Sequence, residues 1–553
     1  MTGRRVLLEL DLTEPPVEAA PSDPLGYLRA RRRPTLHGVV DALRDAAEDD
    51  RVAGLVARVG GALPLARAQE LRDAVRGFRA GGKPAVAWAE TFGEGGPGTL
   101  PYLLATGFGE LWLQPSGDLG FTGIAVEATF LRGALDKAGL EPQLAQRHEY
   151  KNAVDQLTRH GFTDAYREAA ARLAASALEQ VVAAVADARG LAPDRVRELV
   201  DAAPLSAEQA RAAGLVDRVG YRDEVYAEVR RRVGTDVELL YLTRYRRAPA
   251  PRRLVKAVRR RGRPVLAQVT VAGAIRQGRS RRGPLAPGPG AGSDTVAAAL
   301  RSAGRDGSVA AVVLRVDSPG GSYVASDVIW REVTRLRAAG KPVVASMGDV
   351  AASGGYFVAM GADAIVAQPG TITGSIGVFS GKVVTAGLLD RLGIGTDAVV
   401  EGRQARMFSS RVGFDAEQWR RLEEWLDRVY ADFVGKVADA RRITRERAHE
   451  LARGRVWTGA DAYERGLVDE LGGLRRAAEL ARQRAGLPAD AELRRWPPLR
   501  PLDRLSPPRS SEDRTAAAGP TTQWAGWDGL AAVAARLGLP PDGPLTMPPL
   551  TLR

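Results

Sequence analysis

The sequence predicts an α/β protein made of two tandem copies of one unit, each a mainly parallel sheet with packed helices and helical extensions. Three observations predict this. Short strand-like runs alternate with helical patterns, the same short words recur at a fixed spacing, and 553 residues exceed what one hydrophobic core ordinarily holds.

The repeat sets the frame. VADAR at Val185–Arg189 returns 252 residues on at Val437–Arg441, and GLVD at Gly214–Asp217 returns at the same offset at Gly466–Asp469. Upstream, LDKAGL at Leu135–Leu140 matches LDRLGI at Leu389–Ile394 with an offset of 254, so a two-residue gap separates the two registers.

Each copy opens with an apolar run of strand length, Val6–Leu10 or Val265–Val271, followed by a helix. A second strand ends in a turn, at Val52–Val59 and Val309–Val316. After another helix comes Gly-Lys-Pro and a third strand, Pro84–Trp88 and Pro342–Met347, then glycine-rich turns. Long amphipathic helices close the copy, with Leu173, Ala177, Val181, Val182 and Val185 spaced for one face. The expected organisation is a first copy over 1–245, an Arg/Pro-rich linker over 246–263, a second copy over 264–490 and a Pro-rich tail over 491–553. Within the second copy, Gly278–Ser293 reads as a mobile loop. Within the tail, a helical patch surrounds Trp524, Trp527 and Leu530, and the tail otherwise reads as passive.

Composition narrows the chemistry. The absence of cysteine excludes disulfides, thiol nucleophiles and thiolate metal sites. The four histidines, His37, His148, His160 and His449, never stand at the spacing of a helical zinc site, so a metal site is not expected; no organic cofactor is expected either. The net charge of +13 is spread over helices and mixed with acids, which favours a solvated or membrane-facing surface over nucleic-acid binding. Neither a signal peptide nor a run of about 18 apolar residues is visible, so the expected location is cytoplasmic or membrane-associated, with peripheral contact. The basic residues are 7 Lys against 72 Arg, so lysine is written only rarely.

The chemistry-bearing words lie in the second copy. RVDSPGGS, Arg315–Ser322, ends a strand in a turn whose glycines can present free amides. In GDVAASGGYF, Ser353 follows a strand, precedes an apolar helical stretch, and has only Ala and Gly as near neighbours. That pattern suits a nucleophile at a helix N-terminus. It equally suits a serine that merely caps the helix.

VDSPGG, GDVAASGGY and GTITGSIGV, in that order, resemble the signal peptide peptidase A (protease IV) family in its long duplicated form, over residues from about 5 to 490. The resemblance implies a fold similar to ClpP and the crotonases, with Ser353 as nucleophile. It implies oxyanion donors at the amides of Gly320 and Gly354, and Ser375 orienting the base. It also implies a homotetramer acting on hydrophobic peptides such as cleaved signal peptides. A serine hydroxyl needs a base that is neutral at working pH; lysine can become one through burial, arginine cannot. HEYKNAV in the first copy looks like the family's lysine motif and supplies Lys151, whereas the two offsets land on Arg403 and Ala405 in the second copy. Conversely, position 353 maps to Thr99 in the first copy. Each copy thus keeps half of a Ser/Lys dyad. Lys341, Lys382, His148, His160 and Asp349 are the other groups considered: Lys341 reads as structural, Lys382 as solvated, and Asp349 as a turn or cap residue. A crotonase-type acyl-CoA enzyme and a non-catalytic peptide-binding scaffold are the alternative readings.

Overall fold

In a computed structural model of the protein, the residues described are 5–18, 34–247, 262–280, 290–498, 510, 545–547 and 551–552. The first half builds a six-stranded sheet in the order Glu238–Tyr241, Val6–Leu12, Val52–Val59, Ala85–Ala89, Glu110–Leu113, Arg218–Val219, every neighbouring pair parallel. The second half repeats that order with Leu493–Arg495, Val265–Ala272, Val309–Ser318, Val343–Ala352, Ala364–Ala367 and Glu470–Leu471. There the sheet carries two more strands, Ile372–Gly374 and Val456–Thr458, the latter antiparallel. The α/β class and the mainly parallel sheets are therefore as expected.

Strands covered on both faces must be apolar throughout, and they are: in Val52–Val59 every residue but Arg58 is buried. The Gly-Lys-Pro turns act as structural pins. Lys83 Nζ donates to the carbonyls of Ala46 (2.7 Å) and Asp49, and Lys341 Nζ to those of Ala303 (2.7 Å), Gly304 and Asp306. The repeat is also preserved in buried tyrosines, with Tyr102 Oη donating to Leu215 O at 2.7 Å and Tyr356 Oη to Leu467 O at 3.0 Å.

Twin 26-residue helices, Asp164–Arg189 and Ala416–Arg441, close the copies. Thr163 and Asp415 cap their N-termini, and the apolar stripe Leu173, Ala177, Val181, Val182, Val185 is buried. Among the described residues Asp164–Arg189 alone has the length and hydropathy of a membrane span, and half of that apolar window is packed inside the protein.

The halves are joined by more than the chain. Glu141–Gln146 of the first pairs antiparallel with Phe379–Val384 of the second, Gln146 opposite Phe379. Arg315, 1% exposed on a second-half strand, bonds Glu18 at 2.7 Å and Glu70 at 2.9 Å from the first. Glu70 also accepts the Leu474 amide at 2.8 Å.

Two expectations change. Of the Gly278–Ser293 loop, Gly290–Gly292 forms a strand beside Ala274–Arg276. The tail is not wholly passive, since Leu545–Thr546 and Thr551–Leu552 pair with the body. The Trp524 patch and most of the 246–263 linker lie outside the described residues.

Candidate active site

The strand Val343–Ala352 ends where its neighbour Ile372–Gly374 still holds it, and Ser353 N–H donates to Gly374 O at 2.7 Å. The chain then turns abruptly into the helix Gly354–Ala359, which puts Ser353 at φ 55° and ψ −113°. A non-glycine residue there is strained by about 1–3 kcal/mol, a conformation that persists only where its surroundings fix it. Those surroundings leave no room for larger neighbours. A Cβ on Gly354 would stand 2.7 Å from Ser326 Oγ and 3.1 Å from Gly320 Cα, and one on Gly355 would stand 2.5 Å from Ser318 O. Ser353 holds the N-cap position, yet its side chain makes no capping bond. The capping reading of this serine fails, and its hydroxyl is directed elsewhere.

It meets Lys151. The Lys151 Nζ stands 2.7 Å from Ser353 Oγ, 2.9 Å from Ser375 O and 3.0 Å from Ser375 Oγ. Both Lys151 and Ser353 are fully buried. Burial pushes the Lys151 ammonium well below its ordinary value of 10.5. None of the three partners is a carboxylate, so no negative charge restores the proton. A neutral amine has two N–H donors and one lone pair: the donors suit the two Ser375 oxygens, and the lone pair then faces the Ser353 hydroxyl. Ser375 can offer both oxygens on one side because its own φ is 51°, with its N–H tied to Arg455 O at 2.7 Å.

The arrival of Lys151 depends on two second-half glycines. A Cβ on Gly377 would stand 3.2 Å from Lys151 Cδ, and one on Gly454 would stand 2.4 Å from Lys151 N. The Tyr150 N–H donates to the neighbouring Arg453 O at 3.2 Å. The lysine backbone therefore rests directly on the other copy.

The SPGG turn lies against Gly354. Gly320 has φ 103°, and its amide donates a long bond of 3.2 Å to Ser318 Oγ. To hold an oxyanion that amide would have to exchange Ser318 for the incoming oxygen.

The remaining candidates are elsewhere. Thr99, in the first-half position of Ser353, exchanges hydrogen bonds with the backbone of Gly123 and lies buried as a structural residue. Arg403 is exposed. Lys382 is half-buried rather than solvated, donating to Met407 O at 2.8 Å with its ammonium 4.1 Å above the Phe414 ring, because the second-half segment carrying these two residues lies against it. Asp349 is not a turn residue: it lies in the strand leading to Ser353 and pairs with Arg67 of the first half, and burial together with Asp317 pushes it up to about 7. His148 packs on Tyr430 and His449, with ring centroids 4.4 and 4.7 Å away, and His160 is exposed.

A model of peptidase family S49 matches residues 77–236 and 335–488, one stretch in each copy. The chloroplastic serine protease SPPA of Arabidopsis thaliana is 33% identical over 456 residues, 81% of this chain and 65% of that protein. Protease 4 of Salmonella typhi is 32% identical over 464 residues, 81% of this chain and 72% of that one. Among solved structures, a ClpP1 variant from Listeria monocytogenes aligns at 15% identity and a TM-score of 0.24, covering 38% of this chain and 94% of that one. Matched by the family model in both copies and by relatives across four-fifths of its length, the chain belongs to peptidase family S49, the signal peptide peptidase A family, in its long duplicated form.

Proposed function

We propose that the protein is a serine endopeptidase whose dyad is Ser353 and Lys151. The observation that carries this reading is a fully buried lysine 2.7 Å from a strained, non-capping serine hydroxyl. Neutral Lys151 takes the Ser353 proton as Oγ attacks a peptide carbonyl carbon. Negative charge gathers on the carbonyl oxygen, where the amides of Gly354 and Gly320 act as donors, each worth about 3 kcal/mol in the transition state. The lysine, now an ammonium held by Ser375, gives its proton to the departing amine. Water then repeats the sequence on the acyl-enzyme, and the lysine and serine return to their starting states.

The substrates proposed are hydrophobic peptides, including remnant signal peptides, approached by peripheral contact with a membrane. A homotetramer is the proposed assembly. Its support is the segment from Leu392 to Phe408, where Leu392, Val399 and Phe408 are exposed at 63%, 99% and 75%; so much apolar surface in one stretch suits contact with a second copy. Sedimentation at micromolar concentration reads the assembly.

The deciding experiment is a peptidase assay of the native chain, Ser353→Ala and Lys151→Arg on an apolar peptide. Both substitutions are expected to abolish turnover with the fold intact. A Lys151→Arg protein of near-native kcat would exclude the lysine as base.

A further inference from the structure

Lys151 reaches Ser353 on a short turn, and the turn is anchored at His148. The Lys151 N–H donates to His148 O at 3.3 Å, closing the four residues His148–Lys151. His148 has φ 65°, a left-handed conformation that glycine takes freely and histidine keeps only where its surroundings hold it. Here the second half holds it. The His148 ring packs on Tyr430 of the helix Ala416–Arg441 and on His449 of the helix Arg445–Leu451, with centroids 4.4 and 4.7 Å away. These two residues are joined in turn, Tyr430 Oη lying 2.9 Å from His449 Nδ1. Tyr430 Oη also accepts the Arg453 N–H at 3.3 Å. From Arg453 the contacts return to the lysine: its carbonyl takes the Tyr150 N–H, and the next residue, Gly454, lies beneath Lys151. The His148 ring therefore closes a circuit of contacts around the base.

We propose that His148 is a positioning residue for the reaction: its uncharged ring, clasped between two helices of the second half, holds the turn that delivers Lys151, and a proton on that ring releases the turn. The proposal rests on Ser353 and Lys151 being the dyad.

The charges around the ring oppose that proton. Facing it are His449 from one helix, Tyr430 and Asp427 from the other, and Arg453 from the turn that follows, with Arg147 and Glu149 on its own segment. The two carboxylates are already engaged, Asp427 with Arg147 and Glu149 with Arg453. Burial first, and then His449, Arg453 and Arg147, hold the His148 imidazole below its ordinary value of 6.5, against the opposing pull of Asp427. Once released, His148 regains the ordinary value. Below pH 6.5 the released ring therefore binds a proton more tightly than the seated one, and acid favours release. At about pH 8 both forms are neutral and the seat is undisturbed.

Two substitutions separate the ring from the backbone. Glycine suits φ 65° better than histidine but empties the seat. Phenylalanine keeps a ring there that takes no proton, and a charge on His449 would then meet an aromatic face, which attracts cations. At about pH 8, His148→Gly should lose about tenfold to hundredfold in kcat/KM on an apolar peptide, with the loss in kcat, because the residue acts through Lys151. His148→Phe should stay within about threefold of the native chain. A His148→Gly enzyme of native kcat/KM would overturn the proposal, since the ring would then position nothing.

Acidification gives the second readout. Towards about pH 5 the native kcat/KM should steepen beyond tenfold per pH unit, because protons on Lys151 and on His148 each disable the site, whereas His148→Phe should fall by no more than tenfold per unit. Equal slopes in the two proteins would refute the release. Hydrogen exchange of residues 147–154 in the full-length Ser353→Ala chain follows the turn without turnover. Corrected for the intrinsic pH dependence of exchange, protection there should drop about tenfold between about pH 7 and pH 5, and His148→Phe in the same background should keep it. Unchanged protection in the Ser353→Ala chain would overturn the proposal and leave the dyad standing, whereas failure of the dyad appears as activity in Lys151→Arg. The pH slope and the exchange decide the matter even where His148→Gly fails to fold.

Discussion

Gly454→Ala tests whether the site is positioned by one half resting on the other. Gly454 has φ +82°, and an added Cβ would stand 2.4 Å from Lys151 N and 2.5 Å from both Lys151 Cα and Cβ. All but one of these are backbone atoms, so no side chain can swing aside. Restoring ordinary contact near 3.4 Å displaces the lysine backbone by about 1 Å, and the 2.7 Å contact with Ser353 opens beyond hydrogen-bond reach. A displacement of that size costs about 100-fold in rate, or about 2.7 kcal/mol of barrier. The left-handed backbone adds about 1–2 kcal/mol of instability. Gly466→Ala separates the two effects, because Gly466 has φ +72° but nothing within 4 Å of the added carbon. In peptidase assays and thermal melts, both variants should lose similar stability while only Gly454→Ala loses kcat/KM. A Gly454→Ala enzyme within threefold of Gly466→Ala would refute the reasoning.

Further outcomes follow from the buried charges. The kcat/KM of the native protein should rise with pH through the lowered pKa of Lys151 and then level, since only the neutral amine can take the serine proton; a pH profile that is flat or falling over this range would contradict the base assignment. The same lowered pKa means that below pH 10.5 the unfolded chain binds the proton more tightly than the folded one, so this lysine costs stability there, the cost ceasing to grow below the folded-state pKa. Lys151→Met should therefore raise Tm at pH 7 while abolishing activity. Arg315→Met should destabilise the protein by about 3–5 kcal/mol in urea unfolding, because it leaves Glu18 and Glu70 buried without their guanidinium partner.

Much of the site was legible because its chemistry restricts residue type. A strand-to-helix turn with a strained serine tolerates only small neighbours, so Ser353, Gly354 and the SPGG turn stand out locally, and the repeat offsets put Arg403 or Ala405, neither able to accept a proton, where the second copy would carry a counterpart of Lys151. What could not be read depends on docking. Gly454 sits in ARGRVW with no pattern to mark it, and its role exists only because the first-half lysine lands on it. Asp349 looks like a turn residue until the sheet places it opposite Arg67. Ser318, which receives the Gly320 amide, is a turn serine like many others. Met547 lies in a proline-rich stretch whose composition argues for a passive tail, and only the geometry of its partners gives it a pocket.

The reliance of Lys151 on Gly454 also has a meaning in time. A chain leaving the ribosome presents its lysine first, its serine some two hundred residues later, and the glycine beneath the lysine about a hundred residues after that. The Leu474 amide that fastens Glu70 emerges later still. In the proposed dyad, Ser353 therefore lacks its base until nearly the whole protein has been made and the halves have closed. A peptidase built on that dyad gains its activity only at the end of its own synthesis, and spares itself and neighbouring nascent chains until then.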